Sequence, residues 1–228
     1  MSTRVVITGM GVVAPNGNGL QDFELALRKG RSGIRSDESM AGAGFASRVS
    51  GVPQGIDEIA ASTFDEDILR AMNVSHRYAA IAALDAWHDA GLQVPEAGDD
   101  AVDWDSGAIL GTGIGGMDTI AERVVPLTDA GRVRRLGSTA VEQVMASGIS
   151  ARVSGLLHWA TRSRRTRARA ARVRRRCSWA PSASARATRD ACCAGAPKAR
   201  ATTYGRASTP CGSCAARATT ARSAPRVP

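Results

Sequence analysis

Two glycine runs, Gly9-x-Gly11-x-x-Ala14 and Gly111-x-Gly113-x-x-Gly116, have the spacing of a dinucleotide fingerprint. In such a motif a strand-to-helix turn brings backbone close to a pyrophosphate, and the chemistry served would be hydride transfer through a nicotinamide or flavin. The flanking residues argue against it. Pro15, Asn16 and Gly17 interrupt the helix whose N-terminus would hold the phosphates. No acidic residue closes a second strand where a ribose hydroxyl would be bound, and residues 129–132 (DAGR), beyond the second run, read as a loop. The glycines are read instead as tight strand-to-helix turns that use glycine's backbone freedom, and no cofactor is expected. His76 and His88 lie 12 residues apart on one helical segment, close to a common face. No Cys or acidic pair at metal spacing accompanies them, so they read as surface or half-buried histidines and no metal site is expected. Asp65, Glu66 and Asp67 read as the acidic start of a helix. No serine sits in a Gly-x-Ser-x-Gly elbow. On these grounds no residue is assigned a catalytic, cofactor-binding or metal-binding role.

The elements that would position any such residue follow an α/β pattern with short connections. Residues 4–8 (RVVIT) form a short β-branched run suited to a strand buried on both faces, followed by a turn rich in Gly, Pro and Asn over 9–19. Residues 21–28 (QDFELALR) read as a helix with Phe23, Leu25, Ala26 and Leu27 on its apolar side and Gly30 as its stop. Residues 75–90 are the clearest helix. Ser75 can cap it, Tyr78, Ile81, Leu84 and Trp87 recur at helical spacing, and Gly91 sits at the left-handed C-terminal position. Residues 106–110 (SGAIL) read as a buried strand, 111–116 as a tight loop, and 119–125 and 139–145 as helices.

Charge divides the chain in two. Residues 1–157 carry 13 Lys and Arg against 20 Asp and Glu, whereas residues 158–228 carry 17 against 1. The tail also holds all five cysteines (Cys177, Cys192, Cys193, Cys211, Cys214) and contains no Ile, Leu, Met or Phe. The net charge of +9 is therefore a property of the tail alone. The N-terminal run MSTRVVITGMGVV is too short for a signal peptide, and no apolar run approaches the ~18 residues of a membrane span, so a cytoplasmic, membrane-free protein is expected.

Residues 5–13 (VVITGMGVV) with Pro15 and Gly17, followed by residues 27–34 (LRKGRSGI), resemble the N-terminus of a β-ketoacyl-[acyl carrier protein] synthase. Residues 79–92 (AAIAALDAWHDAGL) are similar to that family's long helix, 109–116 (ILGTGIGG) to its strand and glycine loop, and 145–150 (MASGIS) to the stretch shortly before its catalytic cysteine. The resemblance implies an α/β chain holding the first portion of a thiolase-like fold over residues 1–157. It also implies a decarboxylative condensation in which a cysteine takes an acyl chain from a carrier protein and two histidines help malonyl-carrier protein lose carbon dioxide and attack the thioester, with an acyl carrier protein and a second, identical subunit as partners. A thiolate at a helix N-terminus with backbone donors for the oxyanion suits that chemistry. The cysteine is due soon after Leu157, but residues 158–169 read HWATRSRRTRAR.

Running the genetic code backwards through the tail and joining the third base of each codon to the first two of the next accounts for that departure. His158 with Trp159 then forces Leu, and Trp159 with Ala160 forces Gly. The following codons permit Thr-Thr-Asn-Ser-x-Ala-Cys-Ser-Thr-Gly-Thr-Glu-Ala, and Cys192 to Gly195 permit Leu-Cys-Gly-Gly. Loss of one base near the codons of Leu157 and His158 produces such a tail from an intact gene, and its Arg and Ala content then reflects GC-rich codons read out of frame. Residues 158–228 are accordingly expected to be a disordered, out-of-frame segment, since they offer too little apolar area to offset chain entropy. The first part, lacking the segments that would cover it, is expected to expose strand edges and apolar helix faces.

A second reading takes the tail as it stands, as a basic nucleic-acid-binding arm on a non-catalytic protein. Residues 162–176 hold nine arginines in 15 positions, which favours phosphate, and Cys211-x-x-Cys214 with Cys192 and Cys193 invites comparison with a zinc knuckle. Only Trp159, Trp179 and Tyr204 could stack on bases, and no Cys/His set has metal spacing on both sides. Any such binding would be nonspecific.

Overall fold

The computed structural model of the protein describes residues 6–43, 45–96, 102–104, 106–112, 114–159, 191–195 and 212–218. In chain order the elements are β1 (Gly9–Ala14), β2 (Gly17–Asn18), α1 (Leu20–Arg28), β3 (Arg35–Ser36), α2 (Glu38–Gly42), β4 (Val49–Ser50), α3 (Ile56–Thr63), α4 (Glu66–Arg70) and α5 (Val74–Asp89). There follow β5 (Gly107–Leu110), α6 (Met117–Thr119), a π-helical turn (Ile120–Val124), α7 (Val125–Asp129), a 3-10 turn (Val133–Arg135), α8 (Thr139–Val144), α9 (Gly148–Leu156), β6 (Ala191–Gly195) and β7 (Gly212–Ala218). Five strands form one mixed sheet in the order β2-β1-β7-β6-β5, and β3 pairs with β4 in a separate ribbon. β6 runs parallel to β5, with Gly107 opposite Cys192 and Leu110 opposite Gly195, while β7 is antiparallel to both β1 and β6.

The first strand lies further along than its composition suggests. Val6 and Ile7 are 38% and 55% exposed, and the strand is the glycine-containing segment Gly9–Ala14, where the sequence reads as a turn. Packing explains the shift. A Cβ at Gly9 would stand 2.2 Å from the Ala86 carbonyl oxygen, and one at Gly11 2.0 Å from that of Ala82, so these glycines let β1 lie directly on the backbone of α5. The first glycine run is thus a strand face, and only the second is a strand-to-helix connection.

α5 is the centre of the structure. It packs against β1 and β7 on one side and α9 and α3 on the other, which is why eleven of its residues are buried, from Ser75 to Trp87. A helix covered on all sides needs small residues where sheets and helices approach closely, and Ala79, Ala80, Ala82, Ala83 and Ala86 supply them. Its N-cap is Asn73 rather than Ser75. The Asn73 side chain accepts the His76 N–H at 2.9 Å, and Ser75 is buried at the second helical position. Gly91, at φ 71°, closes the other end as expected.

α1 and α8 fall within a residue or so of their expected spans. The helix expected over 119–125 is broken into α6, the π-helical turn and α7. Of α1's apolar side only Ala26 is buried, while Leu25 and Leu27 are 44% and 59% exposed. These leucines of α1 therefore face solvent rather than the core.

The tail expectation needs correction at two places. Ala191–Gly195 and Gly212–Ala218 are strands inside the main sheet rather than disordered chain. Poverty in apolar side chains argues against a core but does not prevent ladder hydrogen bonds, which the backbone alone makes. The remaining tail residues from 160 onward, including the arginine-rich run and the side chains of the five cysteines, lie outside the described residues.

Candidate active-site scaffold

The C-terminal end of β5, the loop after it, the N-terminus of α5 and the α8–α9 pair converge at one place. Leu110 ends β5, whose outer edge pairs with no further strand among the described residues. Ser150, fully buried in α9, substitutes for that neighbour: its Oγ accepts the Leu110 N–H at 3.2 Å and lies 3.4 Å from the Leu110 carbonyl. Ser150→Ala is expected to orphan a buried backbone donor and lower stability by about 1–3 kcal/mol in urea unfolding. Unchanged stability would show that the contact carries no weight.

The loop after β5 abuts the α8–α9 junction so closely that side chains are excluded. A Cβ at Gly116, where φ is 60°, would lie 2.4 Å from the Gln143 carbonyl oxygen, and one at Gly115 2.8 Å from that of Val144. Asn73 reaches the same junction, donating through Nδ2 to the Gln143 carbonyl at 2.7 Å. The Gln143 side chain donates to the Arg70 carbonyl at 3.2 Å, and Asp118 accepts the Val74 N–H at 2.9 Å. The residues just before α9 are thereby clamped to α4, α5 and α6.

His76 sits inside this clamp. It is 1% exposed, so the reading of a surface or half-buried histidine is corrected; only His88, one face away, is exposed. His76 Nδ1 accepts from the Asn73 N–H at 3.5 Å, whereas Nε2 is buried without a hydrogen-bond partner. A Cβ at Gly148 would stand 2.8 Å from that Nε2, so glycine at the start of α9 makes room for the ring. Burial, and secondarily the Arg152 guanidinium, lower the His76 pKa to about 4, with Asp118 opposing weakly. The ring is therefore neutral near pH 7. It meets no Cys or carboxylate set fit for a metal; no such cluster occurs among the described residues.

Asp65 is the N-cap of α4, and Glu66 and Asp67 pair with Arg70 at 2.7 Å and 3.2 Å, so the acidic trio is structural as expected. A shallow groove of about 350 Å³ opens elsewhere, lined by Met10, Asn18, Asp22, Asp85, His88 and Asp89 among others. Burial pushes the Asp85 carboxyl up, opposed by His88, and Asp89 is used in accepting the Met10 N–H at 2.8 Å. Sequence reasoning missed the buried role of His76, and the available signal was its position at N3 behind Asn73, where a side chain can reach back to the cap.

A mixed sheet with a buried alanine-rich helix across it, and a clamped glycine loop at the strand end, define an α/β protein of thiolase-like architecture. Residues 2–164 match the model of the beta-ketoacyl synthase N-terminal domain, and the chain belongs to that family. It is 34% identical over 128 residues to 3-oxoacyl-[acyl-carrier-protein] synthase 2 of Coxiella burnetii, an alignment covering 56% of this chain and 30% of that relative. Among solved structures, a beta-ketoacyl synthase from Burkholderia phymatum STM815 superposes with a TM-score of 0.73 at 21% identity, covering 96% of this chain and 59% of the other. A type II PKS acyl-carrier protein in complex with its ketosynthase bound to the hexaketide gives a TM-score of 0.72 at 18% identity, with the same coverage. The chain thus spans about a third of the length of the curated relative it matches. No described helix is long and apolar enough to cross a membrane.

Proposed function

We propose that this chain comes from a β-ketoacyl-[acyl carrier protein] synthase that forms carbon–carbon bonds in fatty acid or polyketide synthesis in the cytoplasm, and that the chain as read is inactive. The observation that carries the reading is positional. Segments in family order and spacing run to Leu157, and the family match stops at residue 164, inside the arginine run where the cysteine is due. In this reading residues 1–157 are the enzyme's N-terminal part and residues 158–228 are its next segment translated out of frame.

The partners follow from the same reading. Acyl chains would arrive on an acyl carrier protein, and a second identical subunit would cover apolar side chains left in solvent. Ile114 and Val141 are 64% and 61% exposed and Met145 42%, and all lie about the clamped α8–α9 junction. The nucleic-acid-binding alternative gains nothing from the family or fold likenesses.

The purified chain, given acyl-carrier-protein thioesters and malonyl-carrier protein, is expected to give no β-ketoacyl product. A chain from the same gene with one base restored after the Leu157 codon is expected to turn over, because it regains a Ser-x-Ala-Cys segment. Condensation by the chain as read would overturn the claim of inactivity.

A further inference from the structure

Between the buried Thr119 and the buried Ala140 lies a stretch that the core does not hold. No residue from Ile120 to Ser138 is buried. Its packing is largely internal: the π-helical turn lies on α6 and α7, and α7 on the 3-10 turn, while α6 packs on α8 and so ties the foot of the stretch to the body. The stretch is also weakened from within. Pro126 has no N–H to donate to the Glu122 carbonyl, and the helix widens into the π-helical turn directly before it. The helical pieces that result span a single turn each, a length that does not keep its form in water without packing.

A single side chain closes the neck. Arg123, on the outgoing limb, donates through Nη2 to the Leu136 carbonyl at 2.5 Å and through Nη1 to Thr139 Oγ1 at 3.3 Å, both on the returning limb. Gly137, at φ 68°, leaves room for the guanidinium, since a Cβ there would lie 3.4 Å from Nη2.

The same contact reaches the candidate site. Thr139 is the first residue of α8, and Ser138, the N-cap of that helix, makes no side-chain capping hydrogen bond. Arg123 therefore also holds the start of α8. Gln143 and Val144 at the other end of α8 present the carbonyls against which Gly115 and Gly116 are seated.

We infer that residues 120–138 form a flap that opens by local melting while the core stays folded, and that Arg123 is the latch that keeps it shut. Opening frees the start of the helix that seats the glycine loop. Hydrogen–deuterium exchange of the full chain at pH 7 reads this at the amides of Ala130, Gly131, Arg132 and Leu136, whose acceptors Pro126, Thr128, Leu127 and Val133 all lie within the flap. In the native chain these amides are expected to exchange ahead of those of α5 and to respond little to low urea, as local opening requires. Arg123→Ala is expected to speed them by about 10–100-fold, the factor that hydrogen bonds from a charged donor contribute, and to leave α5 unchanged. Arg123→Lys, which keeps the charge but not the fork that spans two acceptors, is expected to fall between the two. Exchange of the flap amides in the native chain at the rate of α5 would overturn the flap. Unchanged exchange in Arg123→Ala, an acceleration shared equally by α5, or a lysine variant indistinguishable from the native chain would overturn the latch.

Discussion

Acidification from pH 7 to pH 4 is expected to destabilise the fold by about 3 kcal/mol through His76 alone. The native ring is buried and neutral, with a pKa lowered to about 4 first by burial and then by Arg152, while the unfolded chain titrates near the ordinary histidine value of 6.5. A native base with a depressed pKa leaves the unfolded state holding more protons between those two values. Stability is therefore complete above about pH 6.5, falls as the pH drops through the window, and stops responding to this group below about pH 4. The charges that face it are few: Arg152 opposes protonation, Asp118 favours it, and Glu142 is held by Arg152 at 3.4 Å. Urea unfolding of the native chain and of His76→Gln at pH 7.5, 5.5 and 4.5 isolates the effect from other carboxylates. The variant should lose most of the difference between its pH 7.5 and pH 4.5 midpoints; an identical pH response in both proteins would sink the idea.

Substitutions at two glycines are expected to act in opposite directions. A Cβ at Gly11 would lie 2.0 Å from the Ala82 carbonyl oxygen and 2.7 Å from the Ala86 nitrogen, both of them helix backbone that cannot step aside. Gly11→Ala must lift β1 from α5 and strip burial from the centre of the core, at a cost of about 3–4 kcal/mol. Gly155, within α9, has nothing within 4 Å of its would-be Cβ. Gly155→Ala should instead stabilise by about 0.5–1 kcal/mol, since it removes backbone freedom from the unfolded chain at no steric cost. Melting both variants beside the parent settles the matter, and a Gly11→Ala protein as stable as the parent would refute the packing argument for the first glycine run.

That same glycine run shows what composition and spacing convey and what they omit. The α/β class and the boundaries of α5 were legible because alanine-rich helical periodicity and Gly91 act within one segment. The placement of β1 was not, because Gly9 and Gly11 look like turn residues until the backbone of α5, some 70 residues on, is laid across them. His76 was misjudged for a related reason. Its burial depends on α9, whose Gly148 makes room for the ring, and nothing in the local sequence announces that contact. The change in composition and charge after residue 157 was legible in the sequence alone, because it needs no long-range contact to be seen. Two strands from the tail were missed because ladder pairing depends on backbone geometry, to which side-chain hydrophobicity is a poor guide.

Peptide mass spectrometry of the protein made from its own gene, in its own cells, addresses the central claim most directly. Trypsin acting on the chain as read releases CSWAPSASAR, residues 177–186, a peptide that the shifted frame cannot encode. The account predicts that this peptide is absent while peptides from residues 1–157 are present and are joined to a sequence containing Thr-Thr-Asn-Ser-x-Ala-Cys. Recovery of the 177–186 peptide, at an abundance matching the N-terminal peptides, would contradict it.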